Sequence, residues 1–323
     1  MMKRVLLVLL ATLLAGLGHA FGQSVSDLKA KAESGDAKSQ TDLGQRYYYG
    51  QGVRPNSAEA VTWYRMAADQ GYPRAQYLLG WMYANAQGVP KDLAVVVTWY
   101  RKAAEQGDVE AQYDLAVMYA TGEGLTKDLA EAATWFRKAA EQGRASAQYY
   151  LGWMYANGEG VPKDAAEAVT WYRQAAGQHV AQAQYGLGVM YATGEGVPQD
   201  WTEAVTWLRK AAEKGYAPAQ NILGALYAEG QGVAKDAAEA AKWYRQAAEQ
   251  GNAQAQFELG AMYYTGEGVL MDTVEAHAWM NMAGAFGDQT AKDMLAEIEQ
   301  KMTKEQIAEA TKLARERLRK FGK

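Results

Sequence analysis

Leu151 to Ala176 reads LGWMYANGEGVPKDAAEAVTWYRQAA, two helix-favouring runs joined by a glycine-rich break. Near-copies lie on both sides of it. They are marked by Trp63, Trp99, Trp135, Trp171, Trp207, Trp243 and Trp279, each 36 residues beyond the last. Fixed self-similarity at such a period is the signature of a stacked repeat array, whose units bury their apolar faces only against their neighbours. The 323 residues are therefore read as one elongated array rather than as two globular domains.

The copy from Arg144 to His179 shows how each unit is built. Ala147, Gln148, Leu151, Gly152 and Tyr155 recur at steps of three and four, which predicts a helix over Ala145 to Ala156 with one buried stripe. NGEGVPKD ends it, with Gly158 and Gly160 free to adopt positive φ and Pro162 fixing the chain before the next start. Asp164 followed by Glu167 has the capping-box pattern. A second helix then runs over Ala165 to Ala176, with Ala168, Trp171, Tyr172, Ala175 and Ala176 facing inwards. The cap recurs at Asn56, Asp128, Asp200, Asp236 and Asp272, while Asp92 has Val95 in place of the glutamate.

Comparing frames separates scaffold from decoration. One position holds Leu43, Leu79, Leu115, Leu151, Leu187, Leu223 and Leu259, and Tyr47, Tyr83, Tyr119, Tyr155, Tyr191, Tyr227 and Tyr263 follow four residues later. Both series, with the repeated tryptophans, are read as core. The small residue after each leucine, glycine in all frames but Ala116, implies close approach between neighbouring helices. A glycine also ends each repeat and is read as a left-handed C-cap; only His179 breaks that series, with Gly177 as a nearby substitute.

Frames of the form A-Q-x-x-L-G-x-M-Y-x-x-G-x-G-V-x-x-D-x-x-E-A-x-x-W-Y-x-x-A-A-x-x-G resemble Sel1-like repeats, relatives of tetratricopeptide repeats with a longer glycine loop inside each hairpin. The resemblance spans Asp36 to Gly287, and MTKEQIAEATKLARERL at 302–318 is similar to the C-terminal end of exported bacterial members. It implies an all-α fold, a right-handed α-solenoid of seven 36-residue helix-turn-helix repeats with helical caps. The implied function is a non-catalytic protein interaction scaffold of the bacterial envelope, periplasmic or secreted. Some cysteine-rich relatives are linked to penicillin binding, which implies an alternative role as a cell-wall binder or β-lactamase-like hydrolase. This chain has no cysteine.

The ends complete the expected organisation. Residues 1–20 combine Lys3 and Arg4, an apolar run from Val5 to Leu17, and small Gly18 and Ala20, which predicts a secretory signal peptide cleaved after Ala20. The apolar run is short for a membrane span and no second one follows, so no transmembrane span is expected. Residues 21–35 supply an N-terminal capping helix, 36–287 the seven repeats, and 288–323 C-terminal capping helices, the last begun by Thr303 and Gln306. That tail is basic, through Lys312, Arg315, Arg317, Arg319, Lys320 and Lys323. The charges complement a helix C-terminus, with an acidic partner or anionic lipid as the sharper alternative.

Little in the sequence points to chemistry. The net charge of -4, more negative once Lys3 and Arg4 are removed, argues against nucleic acid as a partner. His179 and His277 lack partner motifs, and the GEG loops lack the Gly-Lys-Ser/Thr that cradles phosphate. Recurrent carboxylate pairs such as Glu123 and Asp128 are explained by capping. Ser26 and Lys29 form a Ser-x-x-Lys pattern without its companion motifs. No catalytic residue, metal ligand or cofactor is assigned.

A binding face is better supported. The first-helix positions that vary most are Lys38, Asp42, Gln45 and Tyr49 in the first repeat, and Arg74, Leu78, Trp81 and Asn85 in the second. Glu110, Asp114, Val117 and Thr121 follow in the third, and Ser146, Tyr150, Trp153 and Asn157 in the fourth. Steps of four, three and four keep each set on one helical face. A face that repeat packing does not specify is expected to line the concave groove of a solenoid. The expected partner site comprises Leu78, Trp81, Asn85, Asp114, Val117, Thr121, Tyr150, Trp153 and Asn157, taking a protein or an extended peptide between aromatic anchors, with Asp114 meeting a basic side chain.

Overall fold

The computed structural model describes residues 24–321; the expected signal peptide and its expected cleavage point lie outside them. Every regular element among the described residues is helical. A first helix, α1 (Val25–Glu33), precedes the repeats and is capped by Ser24. The repeats contribute α2 (Ala37–Tyr49), α3 (Ser57–Asp69), α4 (Pro73–Ala84), α5 (Leu93–Glu105), α6 (Val109–Thr121) and α7 (Leu129–Glu141). They continue with α8 (Ala145–Asn157), α9 (Ala165–Gly177), α10 (Ala181–Thr193), α11 (Trp201–Glu213) and α12 (Ala217–Glu229). The last are α13 (Ala237–Ala248), α14 (Ala253–Thr265) and α15 (Thr273–Ala285), followed by α16 (Gln289–Glu299) and α17 (Lys304–Leu318). The chain falls into two compact units, Met1–Gln142 and Gly143–Lys323. Each is a stack of helical hairpins in which a helix packs on the next in sequence, so the fold is an all-helical repeat solenoid.

Local signals position these helices as expected. The Asp164 carboxylate accepts from the backbone N–H of Ala166 and Glu167, both at 3.0 Å. The glutamate does not return to the cap, because the Asp164 N–H already donates to the carbonyl of Tyr155 at 3.0 Å. The same bond recurs in other hairpin loops, as from Asp128 to Tyr119 and from Asp236 to Tyr227. A reciprocal capping box forms only at Thr303 and Gln306 among the described helices.

The recurring leucines are fully buried, as expected. The tryptophans are not uniformly so: Trp135 and Trp279 are buried, while Trp63, Trp99, Trp171, Trp207 and Trp243 are half-buried. The deep position is the residue after each tryptophan: Tyr64, Tyr100, Phe136, Tyr172, Leu208, Tyr244 and Met280. Those rings explain the small residue of the first helix. A methyl group on Gly44 or Gly80 would lie 2.7 Å from the ring of Tyr64 or Tyr100, so the close approach is side chain on backbone. The recurrent tyrosines are half-buried instead of sealed in the core. Their hydroxyls accept from the arginine of the preceding helix, as at Arg65 to Tyr83 (2.6 Å), Arg101 to Tyr119 (2.8 Å) and Arg209 to Tyr227 (2.6 Å).

A second link between repeats runs through buried glutamines. Gln76 donates to the carbonyl of Ala68 in α3 at 3.2 Å and accepts from Gln106, just past α5, at 2.8 Å. Gln112 and Gln220 repeat the pattern. The series is interrupted where Lys214 replaces the donor and bonds instead to the carbonyl of His179, leaving the buried Gln184 Oε1 without a partner. His179 itself takes the left-handed turn, at φ 68°, and Gly177 stays inside α9. A fixed 36-residue frame leaves that conformation to whichever residue holds the position.

At the C-terminal end α17 packs on α15. Arg317 forms a two-pronged pair with Glu275, both contacts 2.9 Å, and lies over the Trp279 ring at 4.3 Å. This basic residue is therefore held by a carboxylate, a stronger partner than a helix terminus. His277 is fully buried and its Nε2 lies 2.9 Å from Glu299 Oε1, which gives this histidine a structural place in the end cap.

Candidate partner-binding face

In the first unit, α2 and α4, with Tyr64 of α3 at the base, bring together Tyr48, Tyr49, Tyr64, Tyr77, Trp81, Leu78 and Met82, with Gln45 and Arg74, around a cavity of about 240 Å³. Helical spacing is the cause: Gln45, Tyr48 and Tyr49 are one turn of α2, and Arg74, Tyr77, Leu78 and Trp81 are two turns of α4. Tyr48 meets Tyr49 and Trp81 edge to face, with centroids 4.9 and 5.6 Å apart. Tyr49 is 66% exposed. The guanidinium of Arg74 lies 5.0 Å from the centre of the Tyr77 ring.

The polar residues are more committed than their positions on the helices imply. Asp114 accepts from the Tyr77 hydroxyl at 3.1 Å. Burial pushes the Tyr77 phenol above its ordinary range, and the neighbouring Asp114 charge adds to that. The Asn85 amide donates to the carbonyl of Trp81 at 2.9 Å, and the Thr121 hydroxyl to that of Val117 at 3.0 Å. Both are turned back onto carbonyls in the last turns of their own helix. Val117 is half-buried.

The second unit carries its own aromatic surface on α8. Tyr150 and Trp153 are 40% and 37% exposed, and the Asn157 amide donates to the Trp153 carbonyl at 2.8 Å. Leu78, Trp81, Asn85, Asp114, Val117 and Thr121 thus lie in one unit, and Tyr150, Trp153 and Asn157 in the other. The residues missed by frame comparison are Tyr48 and Tyr77. Tyr48 was detectable, because five other frames have alanine there: Ala84, Ala120, Ala156, Ala192 and Ala228.

No group of acidic, histidine or cysteine side chains among the described residues is arranged to hold a metal ion. No described helix is long and apolar enough to cross a membrane.

Comparison with known proteins gives the same repeat frame. The Sel1 repeat model matches at 37–72, 73–108, 109–143, 145–179, 181–216, 217–252 and 253–287. The chain is similar to the crystal structure of a Sel1 repeat protein from Oxalobacter formigenes, at 37% identity over 85% of this chain and 79% of that one, with a TM-score of 0.66. It is also similar to c5321, a protective antigen of uropathogenic Escherichia coli strains, at 30% identity over 92% of this chain and 95% of that one, with a TM-score of 0.40. No curated protein matches. With seven matched repeats over most of its length, the chain belongs to the Sel1 repeat family.

Proposed function

We propose that this chain is an exported, non-catalytic scaffold that binds a partner protein through an extended segment laid on the first helices of its opening repeats. Sel1 repeats generally mediate protein–protein interaction, and the family is generally non-catalytic. The observation that carries the reading is the cavity between α2 and α4, walled by Tyr48, Tyr49, Tyr77 and Trp81. Aromatic anchors in a partly desolvated recess are the usual source of interface affinity. Tyr150 and Trp153 form a separate exposed aromatic surface in the second unit and serve as a further contact. Residues 1–20 act as the export signal, cut after Ala20.

Partner capture from envelope extract tests the binding claim. Trp81→Ala and Tyr49→Ala are expected to keep the helical circular dichroism of the parent and to lose the captured partner, with Trp153→Ala reporting on the second surface. If Trp81→Ala and Tyr49→Ala capture it as well as the parent does, the reading fails. Intact mass of the chain expressed with its own leader tests export: a product that retains Met1 removes that part of the proposal.

A further inference from the structure

We propose that the cavity between α2 and α4 takes the C-terminal residue of the partner chain, its apolar side chain against Tyr48, Tyr49 and Trp81 and its terminal carboxylate on Arg74. This rests on the scaffold reading above and assigns the chemistry that the scaffold recognises.

Size sets the first limit. At about 240 Å³ the cavity is below the range of roughly 300–1,000 Å³ typical of drug-sized pockets, and a helix about 10–12 Å across has no room in it. One large side chain with its backbone end group is what fits.

Charge sets the second. Arg74 is the only ionised side chain lining the cavity. Arg74 forms an ion pair with Asp108, Nη1 to Oδ2 at 3.8 Å, which is beyond hydrogen-bond reach. The other oxygen of that carboxylate, Oδ1, caps α6 by accepting from the Ala111 N–H at 3.0 Å. The guanidinium therefore keeps N–H donors for an incoming oxyanion, while its place over the Tyr77 ring orients it. Arginine and carboxylate form the two-pronged, charge-assisted pair that combines geometric selectivity with strength. Tyr77, whose hydroxyl is spent on Asp114, supplies only its ring.

Connectivity selects a terminus over an internal acidic residue. At a C-terminus the carboxylate and the last side chain branch from one Cα, so a single residue reaches both Arg74 and the aromatic wall. An internal Asp or Glu spends its side chain on the charge, and its neighbour must supply the apolar group while two flanking peptide segments leave the cavity.

The first two repeats alone combine these features. Where Arg74 stands, the later frames have Glu110, Ser146, Gln182, Pro218 and Gln254. Lys38 holds that position in the first repeat, but the aromatic residues gather beside Arg74.

Fluorescence polarisation of the full chain tests the assignment, using labelled hexapeptides with a Gly-Ser spacer that end in Leu, Phe or Trp. Each is made as the free acid and as the C-terminal amide, and an amidated peptide with an internal Glu covers the other carboxylate source. At least one free acid is expected to bind, and its amide to bind about tenfold or more weakly, the loss of one charge-assisted pair. Arg74→Gln should bring the acid down to the level of the amide and, because it also removes the ion pair with Asp108, lower the thermal midpoint only slightly, with helical circular dichroism retained at the assay temperature. Equal binding of acid and amide, tighter binding of the internal-Glu peptide, or no binding by any free acid at millimolar concentration overturns the inference. The scaffold reading is judged separately: it stands in any of those cases if Trp81→Ala and Tyr49→Ala still abolish partner capture.

Discussion

The ring of Tyr172 lies against the backbone of Gly152 so closely that a methyl group on that glycine would fall 2.8 Å from ring carbon Cδ1. Alanine would favour the helix by about 1 kcal/mol over glycine, but overpacking a core costs about 1–3 kcal/mol. Gly152→Ala is therefore expected to destabilise by about 1 kcal/mol. A denaturant melt in which it matches or exceeds the parent would show that the ring has room to retreat.

Adjacent aromatics of α9 should differ in weight. Tyr172 is buried and Trp171 half-buried, so Tyr172→Ala is expected to cost about 3–5 kcal/mol, as for a large core truncation. Trp171→Ala should cost clearly less. Equilibrium melts of both variants rank them, and the reverse order would mean that the second helix is turned by one residue from the orientation described.

Among the described residues, two that are not glycine occupy left-handed backbone, Ala86 at φ 52° and His179 at φ 68°. The other frames have glycine at both positions. Left-handed backbone costs an L-residue about 1–2 kcal/mol relative to glycine, partly recovered through the unfolded state. Ala86→Gly and His179→Gly should each raise stability by about 1 kcal/mol, read as a higher denaturation midpoint with an unchanged slope. A lowered midpoint for either would mean that its side chain contributes more than the strain removes.

Burial pushes the phenols of Tyr64, Tyr77, Tyr100, Tyr172 and Tyr244 well above their ordinary range. These groups ionise near pH 10 in the unfolded chain. Because the folded values are raised, their contribution is fully present below about pH 10 and is lost as pH climbs towards the folded values. Absorbance titration at alkaline pH should show these buried tyrosines ionising only as helicity is lost. A single tyrosine transition with helicity intact would contradict the burial of these rings.

Much of the fold was legible in the sequence because its determinants are local. The 36-residue period, the glycine breaks and the Asp caps act within a few residues of one another, and they place α8 and α9 to within a residue of their observed ends. Frame comparison likewise marked Leu78, Trp81, Tyr150 and Trp153 as candidates, since a position that varies while its neighbours repeat is not held by the repeat packing.

What the sequence left open depended on contacts between helices. Consecutive residues on a helix differ by about 100°, so a Trp-Tyr pair is equally apolar in pattern, and only packing against Gly152 decides that Tyr172 goes deep and Trp171 stays at the margin. The Gln76–Gln106 bond joins residues 30 apart and the Arg317–Glu275 pair residues 42 apart, distances at which no periodic pattern assigns partners. The candidate site follows the same division. Single-helix spacing marked the face, whereas the cavity required α2 and α4 to be packed together, so that Tyr48 could meet Trp81, Asp114 could be taken by Tyr77, and Arg74 could be left with donors to spare.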